Sequence, residues 1–150
     1  MIAGQKVVCV SGGFDPPHYG HGRLFKEAKK LGDKLIVILN NDNWILKKKG
    51  KVFMPQEERA EMISEFRSVD LVFVTTHPPD PSDMSVCDAL EILRPSIFAN
   101  GGDRFSDNTP ESEVCKKYGI EMVFGVGGGK IQSSSWLIKK AIGSEKERNL

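Results

Sequence analysis

The sequence predicts an α/β fold of the Rossmann-like kind, in three layers (α/β/α) with a five-stranded parallel sheet. Apolar runs typical of strands alternate along the chain with segments of helical periodicity. This alternation indicates a parallel sheet with helices on both faces, because parallel neighbours need a crossover connection. The length of 150 residues fits one domain with its own core, since domains commonly span about 100–150 residues.

The predicted strands are short runs rich in Val, Ile and Leu, as expected for strands buried on both faces. They cover residues 6–10, 34–39, 71–74, 97–99 and 121–124. Helices are predicted between and after them, at residues 20–31, 57–66, 84–93, 111–118 and 133–142. Pro55 precedes one helix and a serine cluster precedes the last, both common at helix starts.

Composition limits the classes of partner and compartment. The net charge of +1 favours neither nucleic acid nor an acidic membrane surface as a partner. No apolar run approaches the roughly 20 residues of a membrane span, and no signal peptide is recognised. The three cysteines are scattered, which favours a cytoplasmic location. We expect one domain over residues 1–142 and a flexible, charged tail at 143–150.

The most informative segment follows the first strand. Residues 11–21 read Ser-Gly-Gly-Phe-Asp-Pro-Pro-His-Tyr-Gly-His and lead into a predicted helix. Glycines let backbone N–H groups approach a phosphate, and a helix N-terminus adds partial positive charge. Two imidazoles there can donate hydrogen bonds to phosphoryl oxygens. The segment lacks the Gly-Lys-Ser/Thr of a Walker loop and the Gly-x-Gly-x-x-Gly of a dinucleotide binder.

The run His18-Tyr19-Gly20-His21 resembles the His-x-Gly-His signature of the cytidylyltransferase-like nucleotidyltransferases. Further matches follow in order at residues 31–37, the lysines near 48, 57–59, 69–70, 101–103 and the serines at 133–135. Within that superfamily the chain is most similar to glycerol-3-phosphate cytidylyltransferase and heptose-1-phosphate adenylyltransferase. The resemblance covers nearly the whole chain and implies the same fold.

The resemblance implies that His18 and His21 stabilise the α-phosphoryl transition state and the leaving pyrophosphate. Lys48 is the best match to the family's catalytic lysine, with Lys51 second, and the choice within the run 47–51 stays open. Lys48 lies in a lysine-rich run at 47–51, which we expect to be a mobile loop that orders over bound phosphates. Substrate binding is assigned to Lys51, Arg59 and Arg67. The two arginines should share one helix face, with helix orientation as the alternative role of Arg59.

The other candidates are expected to bind the nucleotide. Glycines allow close approach to phosphates or nucleoside, and hydroxyls at a helix start form an anion cradle. Asp15 should fix its turn by accepting backbone hydrogen bonds, or else assist the metal. The set is Gly12, Gly13, Phe14, Asp15, Gly20, Gly101, Gly102, Asp103, Arg104, Lys130, Gln132, Ser133, Ser134 and Ser135. Gly128 replaces an arginine of the glycerol-phosphate enzymes, so both ATP and CTP stay open.

These observations together predict transfer of AMP or CMP from a nucleoside triphosphate to a phosphorylated small molecule such as a sugar or polyol phosphate. Mg²⁺ is the expected cofactor, held by phosphates and water, with its protein ligands unassigned. One alternative is a coenzyme-type adenylyltransferase acting on pantetheine phosphate or nicotinamide mononucleotide. Another is a non-catalytic nucleotide-binding regulator. A homodimer is left open.

Overall fold

The computed structural model describes residues 4–101, 109–128, 134 and 137–142. Strands and helices alternate, and residues 137–142 are also helical. In chain order the elements are β1 Val7–Gly12, α1 Tyr19–Lys29, β2 Lys34–Leu39, α2 Asp42–Lys49, α3 Gln56–Ser64, β3 Leu71–Val74, α4 Cys87–Leu93, β4 Ile97–Gly101, α5 Pro110–Tyr118 and β5 Glu121–Val126. Within these ranges no helix has both the length and the apolar character that crossing a membrane requires.

The strands form one five-stranded sheet in the order β3-β2-β1-β4-β5, with every pair parallel. The predicted α/β fold is therefore confirmed. The strand order reverses direction at β1. In open α/β sheets, ligands bind in the crevice outside the carboxyl ends of the strands at such a reversal. The turn with the two histidines follows β1 and lies at this point.

The core has two parts, one on each face of the sheet. Alternate residues of β1 serve them both: Val8 and Val10 face α1 and α3, while Cys9 faces α4 and α5. All three are essentially inaccessible to solvent. Burial raises the pKa of the Cys9 thiol to about 12, with a smaller contribution from Cys115, so this thiol stays protonated and acts as a small apolar side chain.

Helix α2 is the main departure from the predicted elements. Asn41 caps its start by accepting a hydrogen bond from the Trp44 amide at 3.0 Å, and Gly50, with φ of 84°, ends it. Three of the lysines thus form the last helical turn, where they complement the helix dipole. The expectation that the whole 47–51 run is a mobile loop was wrong for residues 47–49.

The side chain of Arg59 connects four segments through hydrogen bonds beneath the carboxyl edge of the sheet. Its side chain is completely buried. The guanidinium donates hydrogen bonds of 2.6–2.8 Å to the carbonyls of Gly13, Asn40 and Met54 and to Oδ1 of Asp42. These acceptors belong to the turn after β1, the end of β2, the segment before α3 and the start of α2.

Of the two roles predicted for Arg59, its contacts agree with the orienting one, whereas Arg67 does not occupy the position expected from the sequence. Arg59 has no access to a substrate phosphate, and its contacts are those of a residue that positions neighbouring segments. Helix α3 ends at Ser64, so Arg67 lies beyond it, exposed in the connection that leads to the amino end of β3. That connection approaches the sheet edge opposite to the histidine turn, and the predicted shared helix face does not exist.

Replacement of Arg59 by Met should lower the free energy of unfolding by about 3–5 kcal/mol, because three carbonyls and one carboxylate lose their buried donor. Arg67→Met is the matched control, and its effect should stay within about 0.5 kcal/mol. Urea unfolding of both variants measures the difference. Equal losses of stability in the two variants would contradict the role given to Arg59.

Candidate active site

The turn after β1 is packed so tightly that it requires its glycines. A Cβ on Gly12 would lie 2.7 Å from the Phe14 ring, and one on Gly13 would lie 2.7 Å from Cδ1 of Ile45 in α2. Phe14 adopts a positive φ of 48°, and its buried ring packs edge-on against the rings of His21 and Phe25. The Phe14 side chain thus supports the turn from within the core.

Asp15 joins this turn to the segment that precedes α3. Its carboxylate is 1% exposed and accepts hydrogen bonds from the amides of Phe53, at 2.8 Å, and Met54, at 2.6 Å. It therefore accepts backbone hydrogen bonds, as one of the two predicted roles requires, although the donors lie in another segment. With both oxygens engaged, Asp15 is poorly suited to binding a metal.

His18 and His21 hold each other in one arrangement through the backbone. His18 is the N-cap of α1, and its Nδ1 accepts from the Gly20 amide at 3.1 Å. In return, Nδ1 of His21 accepts from the His18 amide, also at 3.1 Å. Because a backbone N–H can only donate, both Nδ1 atoms are unprotonated in these bonds. The proton of each neutral ring is therefore on Nε2.

The two imidazoles stack, with ring centroids 3.7 Å apart and planes 20° from parallel. Burial is the largest cause that lowers the pKa of His21, to about 3, and the nearby His18 and Lys49 lower it further. His21 is thus neutral across the physiological pH range. A neutral ring with its proton on Nε2 is a hydrogen-bond donor for a phosphoryl oxygen.

The lysines at 47–51 differ in their surroundings. Lys47 forms an ion pair with Asp80 at 2.6 Å, and Nζ of Lys48 lies 5.9 Å from the centroid of the Trp44 ring. Lys49 is the lysine whose charge acts on His21. Lys51 follows α2 and is exposed. The sequence analysis did not select Lys49 among the five residues of this run, because it did not predict α2. With the helix known, Lys49 lies one turn after buried Ile45 and so on the same face of α2.

Helix α2 is held in place by the loop between β3 and α4. The side-chain amides of Asn41 and Asn43 both donate to the carbonyl of His77, at 2.9 and 2.8 Å. Nε1 of Trp44 donates to the carbonyl of Met84 at 2.8 Å. These bonds fix the helix, and with it the lysines of its last turn, relative to the end of β2.

Asn40 is a candidate that the sequence analysis missed. It directly follows β2 and is 3% exposed, and its backbone N–H donates to the Gly12 carbonyl at 2.9 Å. Its side-chain Oδ1 is buried and has no hydrogen-bond partner among the described residues. Buried polar atoms are seldom left unpaired, so this oxygen is suited to accept a hydrogen bond from a ligand. Only its position at a strand end could have indicated it in the sequence.

Three of the remaining residues that were predicted to contact the nucleotide lie within the described ranges. Gly20 lies in the first turn of α1 and donates its amide proton to His18. Gly101 ends β4, where a Cβ would lie 3.0 Å from Cδ1 of Leu24. Oγ of Ser134 donates to the Pro16 carbonyl at 2.7 Å, so its proton does not point to a phosphate. Outside the described residues lie Gly102, Asp103, Arg104, Lys130, Gln132, Ser133, Ser135 and the 143–150 tail.

The described ranges offer no ready-made metal cage. They contain no group of three or more His, Cys, Asp or Glu side chains arranged to hold an ion. Near the turn, Asp15 is engaged by backbone amides and Asp42 by Arg59.

The lowered pKa of His21 predicts a specific loss of stability in acid. Below pH 6.5 His21 is protonated in the unfolded chain, whereas in the folded chain it stays unprotonated down to about pH 3. The unfolded state therefore binds more protons, and the free energy of unfolding falls as the pH drops. The expected loss from pH 7 to pH 5 is up to about 2 kcal/mol. His21→Gln keeps an acceptor at this position and cannot titrate, so it should lack this loss in urea unfolding at the two pH values. An identical fall in both proteins would contradict the assignment.

Comparisons with known proteins agree with this geometry. The chain matches the cytidylyltransferase-like family over residues 9–138. It is 33% identical to the bifunctional protein HldE of Geobacter sulfurreducens over 95% of this chain, although it spans only 29% of that relative's length. It is 36% identical to the FAD synthase of Thermococcus kodakarensis, over 75% of this chain and 73% of that protein.

A solved structure is also similar. The lipopolysaccharide core biosynthesis protein from Thermoplasma volcanium superposes with a TM-score of 0.64 at 29% identity, covering 81% of this chain and 95% of that one. The family match begins within β1 and covers the turn with both histidines, α2 and the strands β2 to β5. The chain is a member of the cytidylyltransferase-like family.

Proposed function

We propose that this chain transfers a nucleoside monophosphate, AMP or CMP, from the triphosphate to a phosphorylated small molecule and releases pyrophosphate. The observation that carries the proposal is the reciprocal pairing of His18 and His21 with backbone amides, which puts both ring protons on Nε2 at the N-terminus of α1. Donors fixed before the substrate arrives stabilise developing charge without a cost of reorganisation.

The reaction is a single displacement. An oxygen of the acceptor's phosphate attacks the α-phosphorus while the bond from that phosphorus to the bridging oxygen breaks, and pyrophosphate leaves with the electron pair. A phosphate monoester is already anionic near neutral pH, so no protein nucleophile is needed, and catalysis consists of positioning and charge stabilisation. Mg²⁺ bound with the nucleotide would neutralise part of the phosphate charge.

Each group near the turn has a part in this proposal. The imidazoles donate to the α-phosphoryl oxygens and to the departing pyrophosphate. Lys48 and Lys49 supply positive charge from the end of α2, and Lys51 lies on the acceptor side. The backbone of residues 12–14 lies against the nucleotide phosphates, and the segments after β4 and β5 hold the nucleoside and the outer phosphates.

The relatives favour two classes of acceptor. Similarity to HldE favours a sugar phosphate. The FAD synthases, of which one is 36% identical over 75% of this chain, favour a coenzyme-type acceptor such as FMN. A non-catalytic nucleotide-binding regulator is the alternative, because imidazole donors can also bind the phosphates of a nucleotide that does not react.

The test is pyrophosphate release from ATP or CTP with a panel of phosphate monoesters, including FMN and sugar phosphates. His18→Ala and His21→Ala should each lower kcat by about 10²–10³, with a much smaller change in nucleotide affinity, because each removes a transition-state donor. Arg67→Ala is the control and should match wild type. Near-wild-type turnover in both histidine variants would refute the assignment, and nucleotide binding without pyrophosphate release would favour the regulator.

A further inference from the structure

The loop between β3 and α4 is bonded to both ends of helix α2. At the start of the helix, the side-chain amides of Asn41 and Asn43 donate to the carbonyl of His77, at 2.9 and 2.8 Å. In the last helical turn, Lys47 forms its 2.6 Å ion pair with Asp80. A displacement of this loop would therefore move the whole helix with it.

The imidazole of His77, the third histidine of the chain, joins the two ends of the loop. Oγ1 of Thr75 accepts from the backbone N–H of Asn41 at 3.0 Å and lies 2.8 Å from Nδ1 of His77. Nε2 of His77 lies 3.0 Å from the Ser85 carbonyl. Because a carbonyl can only accept, the ring proton is on Nε2, and Nδ1 accepts from the Thr75 hydroxyl. These bonds form one continuous chain from the N-cap of α2 to the far end of the loop.

The loop is stiff and anchored in the fold. Three of the four residues at 78–81 are proline, whose ring fixes the backbone angle φ. Thr75 is 7% exposed, and its backbone N–H donates to the carbonyl of Leu39, the last residue of β2, at 2.9 Å. Pro81 is buried as well. A stiff segment with buried anchors holds its partner helix in one position.

Helix α2 in turn packs directly against the histidine turn. A Cβ on Gly13 would lie 2.7 Å from Cδ1 of Ile45 and 3.3 Å from the ring of Trp44. The charge of Lys49 acts on His21 from the last turn of the same helix. A shift of α2 would therefore change both the packing of the turn and the position of the lysine relative to the imidazole.

We propose that Thr75 and His77 are positioning residues of the reaction, whose hydrogen-bond chain fixes α2 and thereby places Lys48 and Lys49 against the reacting phosphates. This inference rests on the proposed function and gives the loop between β3 and α4 a part in it. A displacement of about 1 Å, caused by a change far from the chemistry, can lower a rate by about 10²-fold. The effect falls on kcat, because the charge that the lysines meet grows in the transition state.

The test measures pyrophosphate release by variants of Thr75, with the best acceptor from the panel. Thr75→Val keeps the shape of the side chain and removes the hydroxyl, so kcat should fall by about tenfold or more, while the KM for the nucleotide changes less than about threefold. Thr75→Ser restores the hydroxyl and should bring kcat back to within about threefold of wild type. Thr76→Val makes the same change at the exposed neighbouring residue and is the matched control, with kcat changed less than about twofold.

His77→Ala tests the same chain from its other member and serves if Thr75→Val does not fold. It removes the ring that bonds to Thr75 and Ser85, and it leaves the His77 carbonyl in the backbone. Its kcat should also fall by about tenfold or more, with the KM for the nucleotide changed less than about threefold.

A second measurement does not depend on turnover. The imidazole NMR signals of His21 in the ligand-free protein should shift in Thr75→Val and His77→Ala but not in Thr76→Val, because Lys49 moves relative to the ring. Lower stability with unchanged kcat and unchanged His21 signals would show a merely structural role and overturn the proposal, as would an equal loss of kcat in Thr75→Ser. No pyrophosphate release by wild type with any acceptor would refute the proposed function, and the His21 signals would then decide the coupling of the loop to the turn alone.

Discussion

Arg59 holds the carboxyl edge of the sheet together from within the protein. Its guanidinium is the common partner of the turn after β1, the end of β2, the start of α2 and the segment before α3. A buried cation is costly unless its donors are satisfied, and here those acceptors, including the Asp42 carboxylate, meet that requirement. The histidine turn and the lysines of α2 consequently keep a fixed relation to each other.

This fixed frame explains the properties of the histidine pair. Burial against Phe14 and the proximity of His18 and Lys49 keep His21 neutral, while backbone amides determine which nitrogen carries the proton. A charged imidazole would attract phosphate more strongly in the ground state. In the proposed reaction, a neutral donor held in a fixed position acts where charge accumulates on the phosphoryl oxygens, which is the condition for raising kcat.

Local patterns in the sequence were enough to predict the fold, while the location of the site stays a prediction. Strands β2 and β3 begin and end at the predicted residues, because their aliphatic runs are bounded by clear turn signals. Helix α2 was missed because the lysine run dominated the interpretation, although Asn41 and Gly50 are ordinary helix-end residues. The burial of Arg59 has no local signal, since its most distant acceptor, the Gly13 carbonyl, lies 46 positions away in the sequence. The unpaired oxygen of Asn40 likewise depends on contacts between distant segments.

The central claim is that the imidazoles act as donors in one direct displacement at the α-phosphorus. The stereochemical course of the reaction tests this claim directly, with a nucleoside triphosphate made chiral by sulfur at the α-phosphorus and the best acceptor from the panel. A single in-line displacement predicts inversion of configuration in the product. Retention would show two successive displacements through a covalent enzyme intermediate, which would contradict the role of His18 and His21 as hydrogen-bond donors in a single step.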